Sequence, residues 1–320
     1  MLEKLIAELK ESRKSIVFTE GNDARILEAT DRLLKEGLME VVLIGNEAEV
    51  RAAAQAGSFC IDSAKIIDPK TYDAMDAMVS EMVALRKGKM TPEQCHSALM
   101  QGNYFGTMLV KMGLANCLLG GATYSTADTV RPALQLIKTK PGNSIVSSCF
   151  IMDRGSASDR LAMGDCAINI DPNEDELVEI AQETAKCAER FGIDPKVAFL
   201  SFSTKGSASS DGVTKVQNAV SKAKECMEVP VDGEMQFDAA VDMSVGQRKF
   251  PGSQVAGQAN TFIFPDVTSG NIGYKIAQRL GGYAAYGPIL LGLNAPINDL
   301  SRGCNADEVY SMAIISAALA

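Results

Sequence analysis

The chain has 320 residues, of which 46% are hydrophobic and 22% are charged, and its formal net charge is −9. This length allows two α/β domains, each with a core of its own. The acidic excess argues against nucleic acid and against an anionic membrane surface, because both need a surplus of Lys and Arg. An anionic small molecule remains a possible partner, since a few local arginines can override the net charge in a closed cleft.

Cysteine usage and the N-terminus bear on the cellular compartment. The eight cysteines are scattered, and no two of them have CxxC spacing. This pattern is typical of buried, reduced thiols rather than of a disulfide framework. The first residues lack the basic region and apolar core of a signal peptide, and no apolar run is long enough for a transmembrane helix. We therefore expect a cytoplasmic protein.

Buried strands and amphipathic helices alternate along the chain. We predict strands at 15–20, 40–45, 114–120, 144–152, 197–203, 258–264 and 288–293. Helices are expected from Asn22 or Asp23 to Gly37, after residue 45, and at 126–138, 174–190, 211–227, 271–280 and 305–319. This alternation predicts mostly parallel sheets flanked by helices. Turn residues at 140–143 favour a domain boundary there.

Several common catalytic motifs are missing. The sequence has no P-loop, no GxGxxG after a strand and no GxSxG elbow. His96 is the single histidine, which excludes HExxH and multi-histidine zinc sites. It lies at a predicted helix start with Thr91 as cap and Pro92 at the first position, so we expect a structural role. Chemistry must therefore rest on Arg, Ser, Asp, Glu, Lys or Cys.

Four polar segments follow predicted strands, where parallel sheets usually bind ligands. Residues 120–132 combine glycines with Arg131, which suits a phosphate, although an ordinary capped loop is equally consistent. Residues 201–210 contain hydroxyl groups and Lys205 that can bind an anion, although a solvated linker is equally consistent. In 268–279, Asn271 is a predicted helix cap, and the charges on that helix can simply face solvent.

The fourth segment, 293–304, holds Asn, Pro, Asp and Gly in close succession, which predicts a tight turn. Arg302 and Ser301 lie in this turn. A fixed arginine can grip a phosphoryl group with two hydrogen bonds and can stabilise charge that develops during acyl transfer.

Five motifs in order carry a family resemblance. They are Ser-Thr-Ala-Asp-Thr-Val-Arg-Pro at 125–132, Leu-Ser-Phe-Ser-Thr-Lys-Gly-Ser at 200–207, Val-Asp-Gly-Glu-Met-Gln-Phe-Asp at 231–238, Gly-Asn-Ile-Gly-Tyr-Lys-Ile-Ala-Gln-Arg-Leu-Gly at 270–281, and Asn-Asp-Leu-Ser-Arg-Gly-Cys at 298–304. Together they resemble the phosphate acetyltransferases (phosphotransacetylases) of the phosphate acetyl/butyryltransferase family across essentially the whole chain.

The resemblance implies an architecture of two α/β domains with mostly parallel sheets, related to isocitrate and isopropylmalate dehydrogenases. One domain would comprise 1–141 and 291–320, the other 142–290, with the active site in the interdomain cleft. A homodimer is expected. The substrates would be coenzyme A or acetyl-CoA, acetyl phosphate and inorganic phosphate, with no metal and no separate cofactor.

The resemblance also implies residue roles in direct attack of the coenzyme A thiol on acetyl phosphate. Arg302 would bind phosphate and developing charge, and Ser301 would hydrogen-bond at the reacting centre. The remaining substrate-binding candidates are Arg131, Arg86, Ser125, Thr126, Lys205, Tyr274 and Lys275. Cys304 is expected to be a packed turn residue rather than a nucleophile.

The general base is open between two carboxylates. The family places an acid six positions after the arginine, which corresponds here to Glu308, with Asp307 beside it. Residues 305–308 also form a capping-box pattern, with Asn305 as cap and Glu308 at the third helical position. We favour Glu308 as the base, while helix capping remains its alternative role.

Three other functions share parts of this pattern. A phosphate butyryltransferase would have the same fold and differ in the volume of the acyl pocket. An NAD-dependent decarboxylating dehydrogenase would need metal-binding aspartates and a nucleotide loop, and the sequence offers no convincing set. A non-catalytic acyl-CoA-sensing domain, like those attached to some malic enzymes, is disfavoured by the intact Ser301–Arg302 pair.

Overall fold

The structure is a computed structural model that describes all 320 residues. The strands are β1 Ser15–Phe18, β2 Glu40–Ile44, β3 Lys65–Ile67, β4 Cys117–Gly120, β5 Ser147–Asp153, β6 Leu161–Gly164, β7 Val197–Leu200, β8 Val231–Met235, β9 Thr261–Ile263, β10 Ala284–Leu291 and β11 Ile297–Asp299. The helices are α1 Leu2–Ser12, α2 Ala24–Lys35, α3 Glu47–Ala56, α4 Met75–Arg86, α5 Pro92–Leu99, α6 Gly102–Lys111, α7 Thr126–Pro132, α8 Glu174–Arg190, α9 Asp211–Cys226, α10 Phe237–Val241, α11 Met243–Lys249, α12 Val267–Arg279 and α13 Ala306–Ala318. No helix has both the length and the hydropathy of a membrane span.

The chain divides into two compact units. One consists of residues 2–140 and 293–320, and the other of residues 141–292 together with Met1. The first unit contains a five-stranded sheet with strand order β11-β4-β1-β2-β3, in which every neighbouring pair is parallel. Its central strands β1 and β4 are apolar and buried, as expected for a parallel sheet with helices packed against it.

The second unit contains a six-stranded sheet with strand order β10-β5-β6-β9-β7-β8. Strands β6, β9, β7 and β8 pair in parallel, whereas β5 pairs antiparallel with both β10 and β6. Two apolar clusters form its core, one built around Phe150 and Phe262 and the other around Leu177 and Phe199. The sheet is therefore mixed at one edge.

Helix starts agree closely with local sequence. Asp23 caps α2, and Thr91 forms a capping box with Gln94 at the start of α5. Asn305 forms the predicted capping box at α13. The prediction for Asn271 is wrong, because Asp266 accepts a hydrogen bond from the Ser269 backbone and starts α12 five residues earlier. An aspartate in extended conformation satisfies the free N–H groups there, so Asn271 falls inside the helix.

Two other predicted elements differ from the structure. The helix expected at 126–138 ends as an α-helix at Pro132 and continues as a π-helical turn, Ala133–Ile137. The proline lacks an N–H and disturbs the regular ladder at this point. Strand β10 begins at Ala284 rather than at 288, because Ala284, Ala285 and Tyr286 also pair antiparallel with β5.

Candidate active site

Three polar loops follow neighbouring strands of the first unit's sheet. They leave the carboxyl ends of β1, β4 and β11, which lie side by side in the strand order. This edge of a parallel sheet is where ligand-binding loops are expected. Sequence reasoning singled out the loops after β4 and β11, whereas the contribution of β1 was missed.

Asp299 is the buried end of β11 and joins two of these loops. Its carboxylate accepts hydrogen bonds of 2.6 Å from the hydroxyl groups of Thr126 and Thr129 on α7. Burial raises the pKa of Asp299 to about 6, although the two hydrogen bonds act in the opposite direction and the nearby Glu20 adds to the rise. The Thr126 hydroxyl is thus occupied by Asp299 in this structure.

Glu20, which follows β1, fixes the loop after β4. It accepts hydrogen bonds from the backbone N–H groups of Gly121 and Thr123 and from the Thr19 hydroxyl. Burial raises the pKa of Glu20 as well, against these hydrogen bonds. Gly121 lies between the two carboxylates at φ +101°, and a Cβ there would lie 2.3 Å from Asp299 Oδ1. Only glycine fits this position without displacement.

Ser301 and Arg302 are exposed on a tight turn directly after β11. The Cys304 N–H donates to the Ser301 carbonyl at 2.9 Å, and the Gly303 N–H donates to the Ser301 hydroxyl oxygen at 3.3 Å. The Arg302 guanidinium has no hydrogen bond or ion pair. Cys304 is buried, and that burial raises the pKa of its thiol, which agrees with a packing role. The turn therefore presents a hydroxyl and a free guanidinium.

Arg25 binds the backbone of this turn from α2. Its guanidinium donates to the carbonyl groups of Arg302 at 2.9 Å and of Cys304 at 3.1 Å. It also donates to the Ala122 carbonyl at 2.9 Å and pairs with Asp23 at 2.7 Å. Sequence reasoning missed Arg25, since no local pattern shows that an arginine in the first turn of a helix reaches a segment near the C-terminus.

Both candidate bases lie in the first turn of α13. Glu308 Oε2 accepts a hydrogen bond of 3.2 Å from the Asn305 N–H, and the Glu308 N–H donates to Asn305 Oδ1 at 2.9 Å. Asp307 accepts a hydrogen bond of 2.5 Å from Arg32 in an exposed ion pair. The cap geometry engages only one oxygen of Glu308, so the base assignment stays a prediction.

Ser125 and Arg131 both bind the carboxylate of Asp128 on α7. The Ser125 hydroxyl donates to Asp128 at 2.7 Å, and Arg131 forms an ion pair with the same carboxylate at 3.1 Å. These partners hold the pKa of Asp128 below its usual value, with the Ser125 hydrogen bond as the largest cause. Arg131 keeps most of its donors free for a ligand.

The charges of Arg131 and Arg86 both act on the pKa of Tyr104. Burial raises the pKa of Tyr104, while the positive charges of Arg131 and Arg86 both lower it. The Tyr104 hydroxyl donates to Gln135 at 3.1 Å. The Arg86 Nε atom is buried without a hydrogen-bond partner. A buried donor without a partner is costly, so this arginine is poised for an acceptor.

The other candidates lie in the second unit. The Lys205 ammonium lies 5.0 Å from the centre of the Phe250 ring, and its backbone N–H donates to the Glu234 carbonyl. Tyr274 stacks on Phe150 at 4.0 Å, and Lys275 lies 5.8 Å from the Tyr274 ring centre. In the first unit, Thr126 on α7 is held to the end of β11, the strand that leads into Ser301 and Arg302, whereas Lys205, Tyr274 and Lys275 belong to the other unit.

Known proteins agree with this architecture. A family model described as phosphate acetyl/butaryl transferase matches residues 1–317. The phosphate acetyltransferase of Bacillus subtilis is 55% identical over 306 residues, covering 95% of this chain and 94% of the relative. The phosphate acetyltransferase of Staphylococcus epidermidis is 50% identical over 326 residues, covering 100% and 98%.

Solved structures agree as well. A phosphotransacetylase from Streptococcus pyogenes superposes with a TM-score of 0.94 at 52% identity, covering 99% of this chain and 98% of that one. The EutD phosphotransacetylase from Staphylococcus aureus gives a TM-score of 0.91 at 49% identity, covering 99% and 97%. A branched-chain phosphotransacylase from Enterococcus faecalis gives a TM-score of 0.73 at 18% identity, covering 96% and 98%, and shows the fold alone. The predicted α/β fold is confirmed, and the chain belongs to the phosphate acetyl/butaryl transferase family.

Proposed function

We propose that this enzyme transfers an acetyl group reversibly between acetyl phosphate and coenzyme A, with Ser301 and Arg302 at the reacting centre. The predicted activity, phosphate acetyltransferase, is confirmed by relatives that are 55% and 50% identical over nearly their whole length. One observation carries the placement of the site: the Arg302 guanidinium is exposed and unpaired on a turn whose backbone carbonyl is bound by Arg25.

The proposed reaction is a direct displacement in a ternary complex. The coenzyme A thiol gives its proton to a carboxylate, and its sulfur forms the C–S bond as the C–O bond to phosphate breaks. Negative charge grows on the acyl oxygen and the leaving phosphate. The Arg302 fork can hold phosphate oxygens with two hydrogen bonds, and the Ser301 hydroxyl can donate at the same centre. Placing both substrates side by side supplies much of the acceleration.

Glu308 is the proposed proton acceptor. Its backbone contact with Asn305 holds the side chain at the start of α13 but leaves one carboxylate oxygen open. Asp307 is engaged by Arg32 instead, and this partner makes it the weaker candidate.

Arg131 and Arg86 form the proposed binding site for an anionic part of the substrate. The charges of both arginines lower the pKa of Tyr104, and the buried Arg86 Nε atom has no hydrogen-bond acceptor. Phosphate groups suit such paired guanidinium donors. Ser125 would contribute from the same helix as Arg131, and Thr126 would act through Asp299. We assign Lys205, Tyr274 and Lys275 to substrate binding from the second unit.

We also propose a homodimer in the cytoplasm, with residues 1–141 and 291–320 as one domain and 142–290 as the other. Each unit has its own sheet, which supports this division. Ile272 and Ile276 on α12, and Leu280 directly after its end, are large apolar side chains that are 55%, 53% and 85% exposed, as expected for a surface covered by another subunit. Six of the eight cysteines are buried free thiols, which suits a reducing compartment.

The test measures thioester formation from acetyl phosphate and coenzyme A without added metal or NAD. We expect turnover, and we expect Arg302→Gln to lose most of kcat. Arg51→Gln is the matched control, because Arg51 forms only an exposed ion pair with Glu47 on α3. Turnover only with butyryl phosphate would overturn the acetyl assignment. Retained kcat in the Arg302 variant would overturn the placement of the site.

A further inference from the structure

The Arg25 side chain, in the first turn of α2, donates hydrogen bonds to four other residues. Its Nη1 atom donates to the carbonyl groups of Arg302 and Cys304, and its Nη2 atom donates to that of Ala122. Its Nε and Nη2 atoms bind both oxygens of Asp23 at 2.9 and 2.7 Å. One guanidinium therefore connects three segments: the start of α2, the loop after β4 and the turn after β11.

These segments are far apart in sequence, so contacts between distant residues fix their relative position. Arg25 lies 277 positions before Arg302 and 97 positions before Ala122. The Ser301–Arg302 turn has one internal backbone hydrogen bond, from Cys304 to Ser301. The carbonyl groups of Arg302 and Cys304 have Arg25 as their partner, and a carbonyl without a partner tends to reorient toward water.

The charges around Arg25 indicate positioning rather than anion binding. The hydrogen bonds to Asp23 raise the pKa of Arg25 and lower that of Asp23, so the pair stays ionised. Asp23 is itself fixed, because it accepts the Arg25 backbone N–H at 2.9 Å as the cap of α2. The positive charge is thereby balanced within the protein, and the free charge at this place is that of Arg302.

We infer that Arg25 is a positioning residue for acetyl transfer, which sets the Ser301–Arg302 turn by binding the Arg302 and Cys304 carbonyl groups. This inference rests on the proposed role of that turn. Catalytic groups displaced by about 1 Å can lose about 10²-fold in rate. Lysine cannot replace the guanidinium, because a single ammonium lacks the planar set of donors that binds Asp23 and the backbone carbonyl groups at the same time.

The experiment compares Arg25→Ala, Arg25→Lys and Arg51→Gln in the full-length enzyme. We expect Arg25→Ala to lower kcat by about 10²-fold, with little change in KM for either substrate. Arg25→Lys should lose most of that activity too, although it keeps the charge. Millimolar guanidinium chloride should partly restore kcat of Arg25→Ala, whereas the same concentration of ammonium chloride should not. Arg51→Gln should match the wild type.

A double variant separates this inference from the proposed function. If Arg25 acts through the turn, Arg25→Ala added to Arg302→Gln should lower kcat little further than Arg302→Gln alone. Independent, multiplying effects would overturn the inference. So would wild-type kcat in Arg25→Ala or full activity in Arg25→Lys, provided that Arg302→Gln is impaired. If Arg302→Gln itself keeps full activity, the proposed site is wrong and the inference falls with it.

Folding is monitored alongside. Circular dichroism and thermal melting give the folded fraction, and kcat is expressed per folded molecule. If Arg25→Ala does not fold, Arg25→Lys carries the test, because its charge still faces Asp23. A folded Arg25→Lys enzyme with wild-type kcat overturns the inference, and one with a lowered kcat and an unchanged KM supports it.

Discussion

The Thr126 hydroxyl donates a hydrogen bond of 2.6 Å to the carboxylate of Asp299, which lies 173 positions further along the chain. Thr126 begins α7, the helix that carries Arg131, and Asp299 precedes Ser301 by two residues. The contact therefore fixes the helix of one anion-binding candidate against the turn that holds the proposed reacting centre.

Thr126→Val tests this contact, because it keeps the branched shape and removes the hydroxyl. We expect the free energy of unfolding to fall by about 1–3 kcal/mol, since a buried carboxylate loses one of its two hydroxyl donors. Thr126→Ser keeps the donor and should lose much less. Urea denaturation measures both, and equal stability of the two variants would contradict a stabilising role of the hydrogen bond.

Asp299→Asn should change how stability depends on pH. The pKa of Asp299 is raised to about 6 in the folded protein, against about 3.9 in an unfolded chain. At pH values between these two pKa values, the folded protein therefore binds one proton at Asp299 that the unfolded chain has released. Protonated Asp299 contributes about 3 kcal/mol to the free energy of unfolding. This contribution is fully present below about pH 4 and is lost as the pH rises through about 6.

The asparagine variant cannot titrate and should lack this loss. Measured by urea denaturation, its stability relative to the wild type should improve from about pH 4.5 to about pH 7.5. Glu20 titrates in both proteins, so its contribution largely cancels in the difference. A constant difference across this range would show that Asp299 has an ordinary pKa.

Local sequence predicted much of the fold and part of this site. The capping boxes at Thr91 and Asn305 and the helix Glu174–Arg190 depend on residues close together in sequence, so their patterns were sufficient. The turn of Ser301 and Arg302 was likewise predicted from its Asn, Asp and Gly content. Family resemblance supplied their roles.

Residues that act across the chain were missed. Arg25, Glu20 and Asp299 depend on the order of β11, β4 and β1 in the sheet, and no single-sequence pattern contains that order. A buried carboxylate also has the same sequence letter as a solvated one. The hydrogen bonds of Asp299 exist only because α7 packs next to the end of β11, which the sequence alone does not show.

Glu308→Gln separates the two roles of Glu308. Glutamine can keep the capping box with Asn305, so the helix start should survive while the basic carboxylate is lost. We expect kcat to fall by about 10²- to 10⁴-fold with little change in melting temperature. Asp307→Asn should retain most of kcat. Equal activity of these two variants would contradict the assignment of Glu308 as base.

Arg86→Gln and Arg131→Gln should weaken substrate binding more than turnover. Each removes a charged hydrogen-bond donor, and a hydrogen bond to a charged group contributes about 1.5–3 kcal/mol. KM should therefore rise by about 10- to 100-fold when coenzyme A or acetyl phosphate is varied separately. A fall in kcat alone, at unchanged KM for both substrates, would contradict a binding role.

Gly121→Ala should damage both stability and activity, because the new methyl group would meet Asp299 Oδ1 at 2.3 Å and the Leu300 carbonyl oxygen at 3.0 Å. Gly113→Ala is the matched control in the same unit. Gly113 has φ +72° but no atom within 4 Å of the added Cβ, so it reports the backbone strain alone, about 1–2 kcal/mol. Denaturant unfolding of the two variants isolates the cost of the contact.

Because Asp299 leads directly into the Ser301–Arg302 turn, the displaced carboxylate should also move the turn. The kcat of Gly121→Ala should therefore fall, while that of Gly113→Ala stays near the wild type. If both variants lose equal stability and keep full kcat, the close packing of Gly121 against Asp299 does not support the turn.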